Sequence, residues 1–82
     1  SVVETANKAP RILTVNRKFN FVVINMGLQD GLKVGDKVNV LKNGKPGAVL
    51  QVEKLYDKFS AATILEENPQ AQIQEGDGIL KA

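Results

Sequence analysis

Two copies of one short pattern, Leu32-Lys33-Val34-Gly35-Asp36-Lys37-Val38 and Ile73-Gln74-Glu75-Gly76-Asp77-Gly78-Ile79, constrain this chain more than anything else in it. Each places an apolar residue ahead of a Gly-Asp pair and a β-branched residue two positions after it. The glycine can take backbone angles that other residues avoid, and the aspartate can accept a hydrogen bond from a nearby turn amide. Gly35-Asp36 and Gly76-Asp77 are therefore expected to be structural turns, each feeding a loop tightly into a strand. They define architecture and carry no chemistry.

With 82 residues, the chain is one domain that can bury only about 60 to 65% of its unfolded surface. Apolar residues recur from Ile12 to Leu80 at the spacing of a folded domain. The chain has no cysteine and no histidine. Disulfides, the usual structural zinc sites and imidazole acid/base chemistry are thereby excluded. The longest apolar run, Phe21 to Ile24, has four residues, far from the roughly 18 to 20 that cross a bilayer, so no membrane insertion by this segment is expected. A start at Ser1 reads as excision from a longer chain. The net charge of +2 is uneven: Lys8 to Lys58 holds ten basic and four acidic residues, whereas Phe59 to Ala82 holds one and four.

Residues 1–9 read as a linker or the end of a preceding helix, and residues 10–82 as the domain proper. Pro10 discourages helix at the residue before it. Strands are expected at Arg11–Asn16 and Phe19–Met26, joined through Asn16-Arg17-Lys18. In the second strand, Phe19, Phe21 and Val23 share one face and Val22 and Ile24 the other, so both faces are apolar. Such a strand is covered on both sides or offers one face to another molecule. Gly27 to Leu32 reads as a loop with one helical turn. A strand Asp36–Lys42 then meets Asn43-Gly44, which fits a two-residue type I′ hairpin turn because both central positions need positive φ. The return strand runs from about Gly47 to Tyr56, and the parity change between Val52 and Leu55 calls for a bulge near Glu53-Lys54. Phe59 to Leu65 follows, with Ser60-Ala61-Ala62 expected at a barrel seam or corner. Gly78–Lys81 closes the chain after a loop around Pro69. The expected fold class is all-β: a small closed or partly open barrel of about six strands, since closure removes unpaired edges.

The runs Ile12-Leu13-Thr14-Val15-Asn16, Phe19-Asn20-Phe21-Val22-Val23-Ile24-Asn25-Met26-Gly27, Asp30-Gly31-Leu32-Lys33-Val34-Gly35-Asp36, Asn43-Gly44 and Phe59-Ser60-Ala61-Ala62 resemble the C-terminal domain of the flagellar assembly protein T type. The paired Gly-Asp turns resemble the GD box of cradle-loop barrels, and the overall pattern is similar to β-domains of the cell-shape protein MreC. The resemblance covers roughly Pro10 to Lys81. It implies an SH3-like or cradle-loop barrel serving as a non-catalytic assembly module of a larger bacterial envelope protein, with no cofactor and no catalytic residues to transfer. Those domains often carry tryptophan where Phe19 stands here.

The residues themselves suggest no reaction. Gly44-Lys45-Pro46-Gly47 lacks the frame of a phosphate loop. Asp30, Asp36 and Asp77 are wrongly spaced for a calcium loop. Ser60 has no histidine to activate it, and Lys54 or Lys58 in a Lys-rich turn offers no buried amine. Two binding classes remain. The favoured one is contact with another protein, another domain of the same parent chain or a second copy, through Val22, Ile24, Met26 and Leu28. The alternative is single-stranded nucleic acid on a basic rim of Arg17, Lys18, Lys42 and Lys45. It is the weaker of the two, because the net charge is small and Phe19, Phe21 and Phe59 are expected in the core.

Overall fold

A computed structural model describes residues 9–82. The expected linker or helix end at 1–9 therefore lies, apart from Ala9, outside the described residues. Six strands follow one another: β1 Ile12–Asn16, β2 Phe21–Ile24, β3 Lys37–Lys42, β4 Lys45–Leu55, β5 Ser60–Glu67 and β6 Ile79–Lys81. A single 3-10 turn, Leu28–Asp30, lies between β2 and β3. All pairings are antiparallel, in the order β1-β2-β5-β4-β3-β6. The sheet curls until its two ends meet at an Arg11–Gly78 bridge. The result is a small, partly open barrel.

The two Gly-Asp corners have the same geometry. Gly35 and Gly76 take φ of 93° and 90°, a region an L side chain occupies only with strain. Asp36 Oδ2 accepts the Lys33 N–H at 2.9 Å and Asp77 Oδ2 the Gln74 N–H at 2.8 Å. Each corner also docks on one residue of a neighbouring strand. Gly35 N donates to Val52 O at 2.8 Å and Val52 N donates back to Asp36 O at 2.8 Å. Gly76 N likewise donates to Ile12 O at 2.8 Å, and Ile12 N to Asp77 O at 2.9 Å. The second corner thus closes the barrel against β1. Leu32 and Ile73, which precede the corners, are buried, as are Val38 and Ile79 beyond them.

Other local expectations meet the structure directly. Asn43 and Gly44 take φ of 54° and 77° between paired Lys42 and Lys45, the pattern of a type I′ turn. The β4–β5 register shifts between Val52 and Lys54, where parity demanded a bulge.

Four expectations need correction. The β1–β2 turn extends to Asn20, which sits at φ 58°, a conformation asparagine tolerates better than most residues. Its Nδ2 donates to Ile64 O at 3.2 Å, and Asn16 Oδ1 accepts the Phe19 N–H at 3.0 Å. Phe19 consequently lies in the turn, 69% exposed, rather than in a strand or the core. Phe59, 45% exposed, is not in the core either, and Phe21 is only half-buried. Ser60-Ala61-Ala62 lies mid-sheet, between β2 and β4, and not at the seam. Finally, Val22, Ile24 and Met26 belong to the core: Val22 and Ile24 have no exposed surface, and Met26 is buried with them. Of the candidate protein-interaction residues only Leu28 is exposed, at 57%.

Candidate functional site

Because successive strand residues point to opposite faces, burying Val22 and Ile24 turns Phe21 and Val23 outward. Phe21 pairs with Thr63 and Val23 with Ala61 across β5, while Lys54 of β4 pairs with Ala61 from the other side. The small Ala61 side chain leaves a hollow between its larger neighbours. It is an open depression of about 200 Å³ lined by Phe21, Glu53, Lys54, Ala61, Ala62 and Thr63.

The β4–β5 hairpin adjoins this face. Phe59 immediately precedes β5, and its ring stacks on Tyr56 with centroids 4.7 Å apart and planes 22° from parallel. Tyr56 is 46% exposed. The 3-10 turn is fastened to this hairpin, since Leu28 N donates to Tyr56 O at 2.8 Å and Gln29 N to Asp57 O at 3.0 Å. Gly27 permits that approach: a Cβ there would stand 2.4 Å from Tyr56 O. The outer face of β2, β5 and β4 thus carries Phe21, Val23 and Ala61, and the adjoining β4–β5 hairpin carries the exposed Tyr56–Phe59 stack, to whose backbone Leu28 is bonded.

The candidate basic rim has different electrostatics. Arg17 Nη1 and Nη2 donate to Glu67 Oε1 and Oε2, each at 2.6 Å, and Nη2 also donates to Ile73 O at 3.0 Å. Glu67 Oε2 accepts the Ile73 N–H at 2.8 Å. The Arg17 hydrogen bonds hold the Glu67 carboxyl below its ordinary range. Burial pushes the other way, and the Ile73 N–H and the charges of Arg17 and Lys42 reinforce the lowering. Lys42 Nζ lies 2.7 Å from Asp77 Oδ2. Arg17 and Lys42 are therefore neutralised within the fold, while Lys18 Nζ lies 5.7 Å from the centroid of the exposed Phe19 ring. Lys45 sits across the hairpin from Lys42.

Neither a protein-family model nor a curated protein matches this chain. A barrel of this kind hosts many unrelated functions, so function has to come from the surface it presents. The three aspartates first considered as cation ligands each serve their own turn, Asp30 Oδ2 accepting the Gly27 N–H at 2.9 Å. Ser60 is fully buried, which puts its hydroxyl beyond the reach of a substrate. Among the described residues no helix is long and apolar enough to cross a membrane.

The outward residues Phe21, Val23, Ala61, Tyr56 and Phe59 were not among the sequence candidates. The signal for two of them was present in the two-faced apolar character of the second strand. What it lacked was a means of deciding which face turns inward.

Proposed function

We propose that this domain is a non-catalytic docking or assembly module of a larger bacterial envelope protein, and that it meets its protein partner through the outer face of β2, β5 and β4. The observation that carries this reading is the set of apolar residues on the solvent side of the sheet, with a hollow over Ala61 and a stacked aromatic pair on the adjoining hairpin. Half-exposed aromatic anchors beside a small apolar hollow suit the buried centre of a protein interface. The hollow is smaller than the roughly 300 to 1,000 Å³ of small-molecule sites, which favours a side chain as its occupant. The envelope setting rests on the resemblance of the Phe19–Gly27 run and the Gly-Asp corners to the assembly domains named above.

Single-stranded nucleic acid is the second reading, and the exposed Phe19 beside Lys18 is what favours it. Against it stand the commitment of Arg17 to Glu67 and of Lys42 to Asp77. A phosphate-binding groove needs cations free to replace counterions.

The test is a photoreactive substitution, Phe21→p-benzoylphenylalanine, in the full-length protein in its own cells, with the same group at Lys45 as the comparison. The expected result is protein adducts from position 21 in excess of those from position 45. No protein adduct at 21, or retention of the domain on single-stranded DNA that falls steeply with salt, overturns the reading.

A further inference from the structure

We infer that the barrel is two copies of one unit, residues 11–42 and 51–82, that assemble without needing the link between them, and that the Asn43-Gly44 turn is the hinge through which two chains exchange units. The pairing registers carry the duplication. Ile12↔Ile24, Thr14↔Val23 and Val15↔Val22 in β1–β2 recur as Val52↔Ala62, Lys54↔Ala61 and Leu55↔Ser60 in β4–β5, with the same residue skipped, Leu13 in one and Glu53 in the other. On that alignment Phe21 matches Phe59, Met26 matches Ile64, and the two Gly-Asp corners match in their turn.

An internal two-fold axis relates the units. The Val23↔Ala61 pair maps onto itself, while Val22↔Ala62 and Ile24↔Ser60 change places on either side of it. Asn39↔Leu80 does the same between Val38↔Lys81 and Val40↔Ile79. Lys37↔Gln51 maps onto Gly78↔Arg11, the bridge that closes the barrel. The corners obey the same operation: Gly35 and Asp36 bond Val52, and Gly76 and Asp77 bond its counterpart Ile12.

Among the described strands, each unit pairs internally through β1–β2 or β4–β5 alone. The β2–β5, β3–β4 and β3–β6 pairings, both corner contacts and the Arg17–Glu67, Lys42–Asp77 and Lys81–Asp36 ion pairs all run between units. None of these contacts requires that the two units share a chain. Their link is a two-residue turn between paired Lys42 and Lys45, with Asn43 and Gly44 at φ 54° and 77°. With that link extended, β3 and β4 run on as one strand, and each unit meets its complement in a second chain with every contact but the turn restored. Exchange of identical elements through a short hinge is a low-cost route to a dimer.

The test uses Asn43→Val with Gly44→Pro in a chain that also carries Val23→Cys and Ala61→Cys. Proline fixes φ near −65° and pushes the residue before it to extended backbone, so the turn is lost. The chain has no cysteine of its own, and facing residues of an antiparallel pair lie within disulfide range. At about 100 μM this turn variant is expected to sediment at twice the mass of one chain, with its disulfides joining different chains. With the parent turn, the same cysteines should close within one chain. Independently, the full chain with a site-specific protease sequence inserted between Asn43 and Gly44 should stay folded after cutting. Its two pieces should sediment together, and its thermal midpoint should rise with concentration. A cut chain that falls apart at about 100 μM overturns the proposal, as does a turn variant that is a folded monomer or a dimer whose disulfides lie within chains. If the turn variant does not fold, the cut chain decides.

Discussion

Asp77 holds Lys42 Nζ at 2.7 Å with the same oxygen that accepts the Gln74 N–H. At the other corner Asp36 accepts the Lys33 N–H and receives Lys81 Nζ at 3.6 Å. Lys42 ends the strand that Asp36 opens, and Lys81 ends the strand that Asp77 opens. Each corner is thus reached by the lysine of the other corner's strand. Removing either carboxylate leaves a turn N–H without its acceptor, which costs about 1 to 2 kcal/mol. The Lys42–Asp77 pair is shorter and less exposed than the Lys81–Asp36 pair, so Asp77→Ala should destabilise more than Asp36→Ala. Urea titrations at low and high salt check this: the gap between the variants should narrow as salt screens the pairs. Equal losses at every salt concentration would show that Lys42 contributes nothing at Asp77.

Glycine is required at two kinds of position for different reasons. Gly35 and Gly76 lie at positive φ with open space where a Cβ would stand. Gly35→Ala and Gly76→Ala should each cost about 1 to 2 kcal/mol from backbone conformation alone, and asparagine should recover part of that loss. Gly27 is extended at φ −149°, and a Cβ there meets hairpin backbone atoms at 2.4, 2.6 and 2.7 Å. Gly27→Ala should cost about 1 to 3 kcal/mol through overpacking, with Gly27→Asn no better. Thermal melts of the six variants separate the two causes. An asparagine that gives no recovery at 35 or 76 would contradict the strain assignment.

How much of this was legible in the sequence depended on the range of each interaction. Gly35-Asp36, Gly76-Asp77 and Asn43-Gly44 are governed by backbone angles within a few residues, and all three turns stand where local chemistry puts them. The bulge between Val52 and Lys54 was legible for a similar reason, because a parity conflict along one strand requires it. The inward face of β2 was not. Phe21 and Val23 alternate with Val22 and Ile24, and neither pair is the more apolar by any local rule. Their sides are assigned by what lies across the sheet, where Val22 faces Ala62 and Ile24 faces Ser60 on the interior side of β5. Phe19 was misplaced because the left-handed Asn20 is held by Ile64 on β5, 44 residues away. The pairing of Arg17 was illegible by the same measure: the acid that neutralises it is 50 residues further along the chain.

Ser60 gives a stability prediction of unusual sign. Its side chain has no exposed surface, and its Oγ has no hydrogen-bond partner among the described residues. A buried hydroxyl without a partner loses its hydration on folding and regains nothing. Ser60→Ala should therefore leave stability unchanged or raise it by up to about 1 kcal/mol, whereas the reverse change on the same strand, Ala62→Ser, should lower it by about 1 to 3 kcal/mol. Chemical denaturation of both variants checks the pair. A loss of more than about 1 kcal/mol in Ser60→Ala would mean that the hydroxyl is bonded.

Glu67 joins three parts of the barrel: its own strand β5, the β1–β2 turn through Arg17, and the approach to the second Gly-Asp corner through the Ile73 N–H. Its folded-state pKa is depressed, first by the Arg17 hydrogen bonds. The unfolded chain therefore takes up this proton at a higher pH than the folded one. The stabilisation is complete above the ordinary carboxylate value of about 4.3 and is lost as pH falls toward the depressed folded value. Glu67→Gln removes that linkage. At neutral pH the variant should be the less stable, and its stability should fall less steeply in acid, so that the two curves converge. The Ile73 amide should also exchange faster in the variant, because its acceptor is weakened. Urea midpoints measured from neutral pH into acid, with hydrogen exchange at Ile73, provide the check. Parallel curves and an unchanged Ile73 exchange rate would show that the contact forms without holding the approach to the second corner in place.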